Sequence, residues 1–314
     1  MYLQHFRLNE LPFTLTPDTA FFMGSAGYRD ALNVLLVALR SGEGFTKVVG
    51  EVGTGKTLLC RTLLKTLTPE FHIAYLPNPY LRPSSLLLSI ADELGIKYPK
   101  RASQHELLSR INDGLLASHT EGRRVALCMD EAQAVPLQTL ETLRLLTNLE
   151  TEKTKLLQVV LFGQPELDKV LDDPAIRQLR QRITFSYQLQ PMGREGVEEY
   201  LRHRLAVAGY DGPRLFDSRA VDLIYRGSGG VPRLINILAH KSLMAAFGEG
   251  EARVGKVHAR RAVEDTDDAR SVTRTGVSVL SWLKRLWSRF AGLFGAIAAI
   301  GIALELRHLS GLIG

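Results

Sequence analysis

The sequence predicts an α/β fold of three layers (αβα), a parallel sheet between two sheets of helices, followed by a C-terminal all-helical lid and a C-terminal hydrophobic tail. Three observations predict it. Up to Leu189, short apolar runs alternate with amphipathic segments, the alternation that builds a parallel sheet covered on both faces. After Pro191 strand signals cease, and helical patterns occupy residues 195–208, 218–226, 232–246 and 256–265, punctuated by Gly209, Gly212-Pro213, Gly227 and the Gly248-Glu249-Gly250 turn. Apolar residues then dominate the last stretch. At 314 residues the chain exceeds what one hydrophobic core holds. Residues 1–43 are expected to lead into a core of 44–190, with the lid at 191–268, a linker at 269–279 and the tail at 280–314.

The first element of the core is a short β-rich run at 45–49, and residues 58–67 repeat apolar side chains at helical spacing. Between them Gly50-Glu51-Val52-Gly53-Thr54-Gly55-Lys56-Thr57 fills every fixed position of the phosphate-binding pattern G-x-x-x-x-G-K-[ST]. Glycines let backbone N–H groups turn inward around an anion, and the following helix aims its positive end at the same charge. Lys56 supplies a mobile cation for the β- and γ-phosphates, and the Thr57 hydroxyl is a ligand for Mg²⁺. The expected nucleotide-binding residues are therefore Gly50 through Thr57 and Leu58, and the expected ligands are ATP and Mg²⁺. Strand, glycine loop and helix in this order read as a P-loop NTPase.

The next informative element is the continuous apolar run 125–129, read as a buried strand, which ends in Asp130-Glu131. A carboxylate at that tip can hold the Mg²⁺ shell, and its neighbour can polarise an attacking water. Asp130 joins Thr57 as a metal residue, and Glu131 is the expected general base. Taken alone, the pair would also fit an acidic helix start after a strand. A further apolar run at 156–163 is followed by Gln164, and a last strand at 184–189 is preceded by Arg177, Arg180 and Arg182.

Together with the late Gly230-Val231-Pro232-Arg233, these features resemble the AAA+ ATPases. The resemblance implies that Gln164, where many relatives carry Asn, senses the γ-phosphate and the attacking water. It implies that Arg233 reaches from the lid to the phosphates, and that one arginine before the last strand acts on a neighbouring subunit's nucleotide. Arg182 is the first choice and Arg180 the second; a solvated basic helix face is the alternative for each. Leu11-Pro12-Phe13, Thr16-Pro17-Asp18, Phe21-Phe22, the 31–39 helix, Phe162-Gly163-Gln164-Pro165-Glu166-Leu167 and Leu179-Arg180-Gln181-Arg182-Ile183 narrow it further. From about Phe6 to about Val263 the chain is similar to ExeA-type secretion ATPases and shorter MshM-type relatives of type IV (MSHA-like) pilus biogenesis. Longer members continue into a periplasmic wall-binding domain, so cell-wall binding is not expected to carry over, and the shorter relatives are the better match.

The tail carries the membrane expectation. Leu280, Leu283, Leu286, Trp287 and Phe290 fall on one helical face, with Ser281, Lys284, Arg285, Ser288 and Arg289 on the other, as in a basic helix at a membrane surface. Residues 290–304 hold no charge, and Gly295, Ala299 and Ala303 recur at four-residue intervals. Fifteen helical residues reach only about 22 Å against a hydrocarbon core of about 30 Å, so association is expected rather than an unaided span. The alternative is burial against the lid or another subunit. From Ala252 onward ten Lys or Arg face five Asp or Glu, which leaves the rest of a +6 chain near neutral. That distribution fits anionic lipid better than nucleic acid, which is not expected as a partner. Cys60 and Cys128 have no paired spacing, so neither disulfide nor zinc is expected, and Arg7, Asn9 and Glu10 interrupt any N-terminal signal region.

The sequence therefore points to a membrane-associated ATPase on the cytoplasmic face of the bacterial inner membrane. It is expected to form a homo-oligomer with nucleotide at subunit interfaces, and to work with pilus or secretion assembly proteins. Two alternatives stay open: a DNA-directed ATPase resembling transposition helpers, and a nucleotide-switched scaffold with slow hydrolysis.

Overall fold

In the computed structural model, residues 2–67, 70–77, 80–151 and 154–269 are described. The tail and all but the first residue of the expected linker lie outside the described residues, and so do the expectations that rest on them. Among the described residues no helix is long and apolar enough to cross a membrane.

The core elements run α1 (Ala26–Arg40), β1 (Phe45–Gly50), α2 (Lys56–Leu67), β2 (Phe71–Leu76), α3 (Pro83–Glu93), α4 (Gln104–Thr120), β3 (Arg124–Met129), α5 (Leu137–Leu146), β4 (Leu157–Gly163), α6 (Glu166–Leu171), α7 (Arg177–Arg180) and β5 (Ile183–Leu189). The lid comprises α8 (Arg194–Val207), α9 (Ser218–Ser228), α10 (Pro232–Gly248) and α11 (Lys256–Glu264). The five strands form one sheet in the order β2-β3-β4-β1-β5, and every pairing is parallel. After β1 the chain crosses to the far edge and works back, so the tips of β3, β4 and β1 are neighbours. Ligands of open α/β sheets collect at such a reversal of strand order.

Alternation along the strands explains the two helical layers. Val125, Leu127 and Met129 of β3, with Leu157, Val159 and Leu161 of β4, face one core with residues of α3, α4 and α5 such as Leu87, Ile111 and Leu143. Their sequence neighbours Ala126, Cys128, Val160 and Phe162 face a second core with α1 and α2, through Leu35, Leu39, Leu59, Cys60 and Leu63. Both faces being covered, residues 125–129 of β3 read as an unbroken apolar run, and β4 is apolar but for the buried Gln158. Cys60 and Cys128 are both buried, and a hydrogen bond to Cys128 together with burial holds the Cys60 thiol well above its usual range.

A third core joins the lid to the start of the chain. Tyr2, Phe6, Leu8, Phe13 and Phe21 pack with Val197, Leu201, Ile224, Ile235 and Leu243. Residues 2–21 thus pack with the lid across the molecule, and only α1 lies on the sheet. Asn9 N–H donates to the Ala208 carbonyl (2.8 Å), and the Tyr2 hydroxyl meets His240 Nδ1 (2.8 Å). At α9 the Asp217 side chain caps the N-terminus by accepting from Ala220 N–H (2.6 Å). Gly229 and Gly230, at φ 57° and 79°, then turn the chain into α10, whose first residue is Pro232.

Candidate active site

Between β1 and α2 the backbone bends through Gly53 (φ 79°) and Gly55 (φ 88°). A Cβ on Gly53 would lie 2.7 Å from Arg233 Cβ, and one on Gly55 would lie 2.7 Å from the Tyr28 hydroxyl, so both conformation and space require glycine. Thr54 is buried and closes the loop by donating from Oγ1 to the Glu51 carbonyl (2.7 Å), while the Tyr28 hydroxyl donates to the Thr54 carbonyl. Lys56 is 5% exposed, and its ammonium donates to the loop's own carbonyls, Gly50 (2.8 Å) and Glu51 (3.0 Å). Burial lowers its pKa, against the opposing pull of the Glu131, Asp130, Glu51 and Glu166 carboxylates. An ammonium with only neutral acceptors, at the mouth of a glycine cradle and a helix N-terminus, fits a phosphate chain.

The acid pair sits at the tip of β3. Asp130 is 3% exposed; its Oδ2 accepts from Thr57 Oγ1 (2.6 Å) and its Oδ1 from Glu131 N–H (3.0 Å). Burial pushes the Asp130 pKa up, and these two hydrogen bonds oppose it. Hydroxyl and carboxylate oxygens held this close are the donor set of a hard cation, so the residues fit Mg²⁺. Among the described residues no group of three or more His, Cys, Asp or Glu is arranged to hold a metal ion, so a cation here would draw its other ligands from phosphate and water.

Glu131 adopts a left-handed backbone, φ 52° and ψ 37°, shared among described non-glycine residues only with Arg7. The turn takes the chain out of the sheet and leaves the carboxylate facing the tip of β4. There Glu131 Oε2 accepts from Gln164 Nε2 (3.0 Å) and from Gln133 Nε2 (2.6 Å), while Gln133 Oε1 accepts from Gln164 N–H (3.0 Å). Glu131 and Gln164 are thus brought together, and Gln133, unforeseen in the sequence, links them. A glutamine two residues after an acidic pair carries no signal of its own until β4 is placed beside it.

A cavity of about 330 Å³ opens over the loop, floored by Gly53, Gly55, Lys56, Thr57 and Leu58 with Glu131 at its side. Its other walls are the Thr14–Asp18 stretch, α8 through Tyr200 and Arg204, and α10 through Pro232, Arg233 and Asn236. Arg233 lines the cavity, and its N–H donates to the Gly53 carbonyl (3.2 Å), so the lid touches the loop directly. The N-terminal wall is strapped down: Arg204 donates to the Pro12 carbonyl and lies 4.4 Å from the Phe21 ring centre, Asn236 donates to the Thr14 carbonyl (3.2 Å), and Arg61 to that of Pro17 (2.8 Å). None of Tyr28, Tyr200, Arg204 and Asn236 is singled out by sequence pattern. A second cavity, about 370 Å³ among Arg40, Arg123, Arg124 and Lys155, lies away from the strand tips and is not where this chemistry would occur.

The remaining arginines sit elsewhere. Arg177 and Arg180 bound α7, and Arg182 immediately precedes β5, at the end of the sheet opposite the tips of β1 and β3. Arg180 pairs with Asp172 on the surface, at 62% and 60% exposure, and Arg182 donates to Asn148 Oδ1. Neither is brought to the phosphate loop of its own chain.

Residues 39–171 match the AAA domain family. The chain is 46% identical over 254 residues to General secretion pathway protein A of Aeromonas hydrophila, covering 81% of this chain and 46% of that protein. It therefore spans less than half the length of that relative. Among solved structures, Cdc6p from Pyrobaculum aerophilum superposes with a TM-score of 0.60 at 20% identity, covering 79% of this chain and 70% of that one. The Aeropyrum pernix ORC2 protein gives 0.58 at 18% identity, with 80% and 72% covered, and the Thermotoga maritima RuvB branch migration motor gives 0.54 at 16%, with 83% and 75% covered. These similarities are of fold.

Proposed function

The chain belongs to the ExeA-type family of AAA ATPases, and from that premise we propose that it binds Mg·ATP between core and lid and hydrolyses it to drive assembly or remodelling of a secretion apparatus or type IV pilus. The observation that carries the reading is the Thr57–Asp130 contact at 2.6 Å, beside a buried Lys56 and adjacent to Glu131. In this reading the loop amides and Lys56 bind the β- and γ-phosphates, and Thr57 with Asp130 holds Mg²⁺. When bound, the ion neutralises charge on the phosphate oxygens. Glu131 takes the proton of the attacking water, Gln164 orients that water and the γ-phosphate, and Arg233 closes the lid on the phosphates.

The position of Arg180 and Arg182 at the far end of the sheet supports a role toward a neighbouring subunit, which would make the active form an oligomer. The basic amphipathic pattern of residues 280–290 supports attachment to the cytoplasmic face of an inner membrane. Fractionation of full-length protein and of protein ending at Gly276, each assayed for Mg·ATP turnover with and without duplex DNA, tests the reading. Membrane recovery of the full chain alone and DNA-independent turnover are expected. Salt-sensitive DNA affinity that stimulates turnover would replace it with the DNA-directed alternative.

A further inference from the structure

We infer that Gln133 is a positioning residue for the catalytic carboxylate, fixing Glu131 to the tip of β4 so that one oxygen is held and the other is left to act on water. The inference rests on the hydrolase reading above and deepens it. Three hydrogen bonds close a small circuit: Gln133 Nε2 to Glu131 Oε2 (2.6 Å), Gln164 Nε2 to the same oxygen (3.0 Å), and Gln164 N–H to Gln133 Oε1 (3.0 Å). Both donors fall on Oε2, so Oε1 keeps its lone pairs for a proton. Gln133 contributes two of the three bonds, and its amide spends one end on each partner. Gln164 also bonds the carboxylate directly, and Gln133 adds a second tie, from that carboxylate to the Gln164 backbone.

The surrounding backbone is shaped for this amide. Glu131 is in the left-handed region, which throws the Ala132–Ala134 turn back over β4. Gly163, the last residue of β4, leaves the space: a Cβ there would sit 3.2 Å from Gln133 Oε1 and 2.7 Å from Leu167 Cδ2. The circuit also joins Gln164, proposed to sense the γ-phosphate, to the residue that would take the proton. Movement of Gln164 toward a bound phosphate would therefore be felt at Glu131 through Gln133 as well as directly.

The test is steady-state turnover and Mg·ATP affinity of full-length wild type, Gln133→Met, Glu131→Gln and the double variant. Methionine keeps the length of the side chain and removes both hydrogen bonds. Gln133→Met is expected to lower kcat by about tenfold or more while leaving Mg·ATP affinity and KM within about threefold, since a misplaced base forfeits part of the roughly 10²- to 10⁴-fold it contributes. In the Glu131→Gln background the same substitution is expected to change kcat by less than about twofold, because residues acting as one unit are not additive. A merely structural role would lower both backgrounds by the same factor, and that result overturns the inference. Wild-type turnover with Gln133→Met unchanged overturns it too, and leaves the hydrolase reading standing. Absence of wild-type turnover overturns the hydrolase reading, and this inference with it.

Discussion

Asp130 is a carboxylate held almost out of water, and the ligand-free protein bears the cost of that burial. Its raised pKa means that burial outweighs the Thr57 and Glu131 hydrogen bonds. The sign of its linkage follows: a carboxyl group with a raised folded-state pKa contributes stability that is present at low pH and lost as pH rises through that value. Removing the charge at neutral pH should then help the empty fold. Asp130→Asn is predicted to raise the melting temperature of the ligand-free protein by about 1–2 °C, equivalent to about 1 kcal/mol in a chain of this length, while abolishing the further rise caused by Mg·ATP. Thermal melts at pH 7 with and without Mg·ATP check both halves. The Thr57–Asp130 pairing was legible beforehand because each residue type sits at a fixed place after its own strand. The Gln133 circuit was not, because it depends on a backbone turn at Glu131 and on the empty space at Gly163.

The lid is anchored through short elements rather than long ones. Met192 N–H donates to the Gly230 carbonyl (2.9 Å), and a Cβ on Gly230 would lie 1.9 Å from the Met192 carbonyl oxygen, with φ at 79°. Gly230→Ala is therefore predicted to destabilise the protein by on the order of 3 kcal/mol, combining left-handed strain with a backbone clash, and to weaken Mg·ATP binding through displacement of Arg233. Denaturant unfolding and nucleotide titration measure the two effects. Arg204→Ala should act differently, since it frees Pro12 and Phe21 of the N-terminal strap from α8 without touching the phosphate loop. Faster proteolysis near residues 12–18, reversed by bound nucleotide, is the expected outcome. The helices of the lid were legible from their apolar period and glycine punctuation to within one or two residues. The strap was not, because Leu11-Pro12-Phe13 and Thr16-Pro17-Asp18 have no period and gain meaning only from the arginine and asparagine that α8 and α10 present to them. Strand β2 was not read from the sequence: it lies at a sheet edge, and His72 and Tyr75 deny it the continuous apolar run that marks β3.

At the scale of the molecule, one sheet end holds Asp130 and Glu131 and the other holds Arg180 and Arg182, which is the asymmetry a ring or dimer of identical chains can use. The Arg182 role proposed in trans requires that side chain to leave Asn148, whereas Arg180 need only leave an exposed ion pair worth at most about 1 kcal/mol. Mixing Arg182→Ala with Lys56→Ala is predicted to recover part of the turnover each lacks alone, because the Lys56→Ala subunit keeps the Arg182 proposed to act in trans. No recovery at concentrations where oligomers form would remove Arg182 from that role. All of these expectations converge on hydrolysis at Glu131. Its most direct test compares wild type with Glu131→Gln for Mg·ATP affinity and for single-turnover cleavage. Affinity within about threefold and cleavage slowed by about 10²-fold or more are predicted. Equal cleavage rates, or a folded wild type with no affinity for Mg·ATP, would contradict the account.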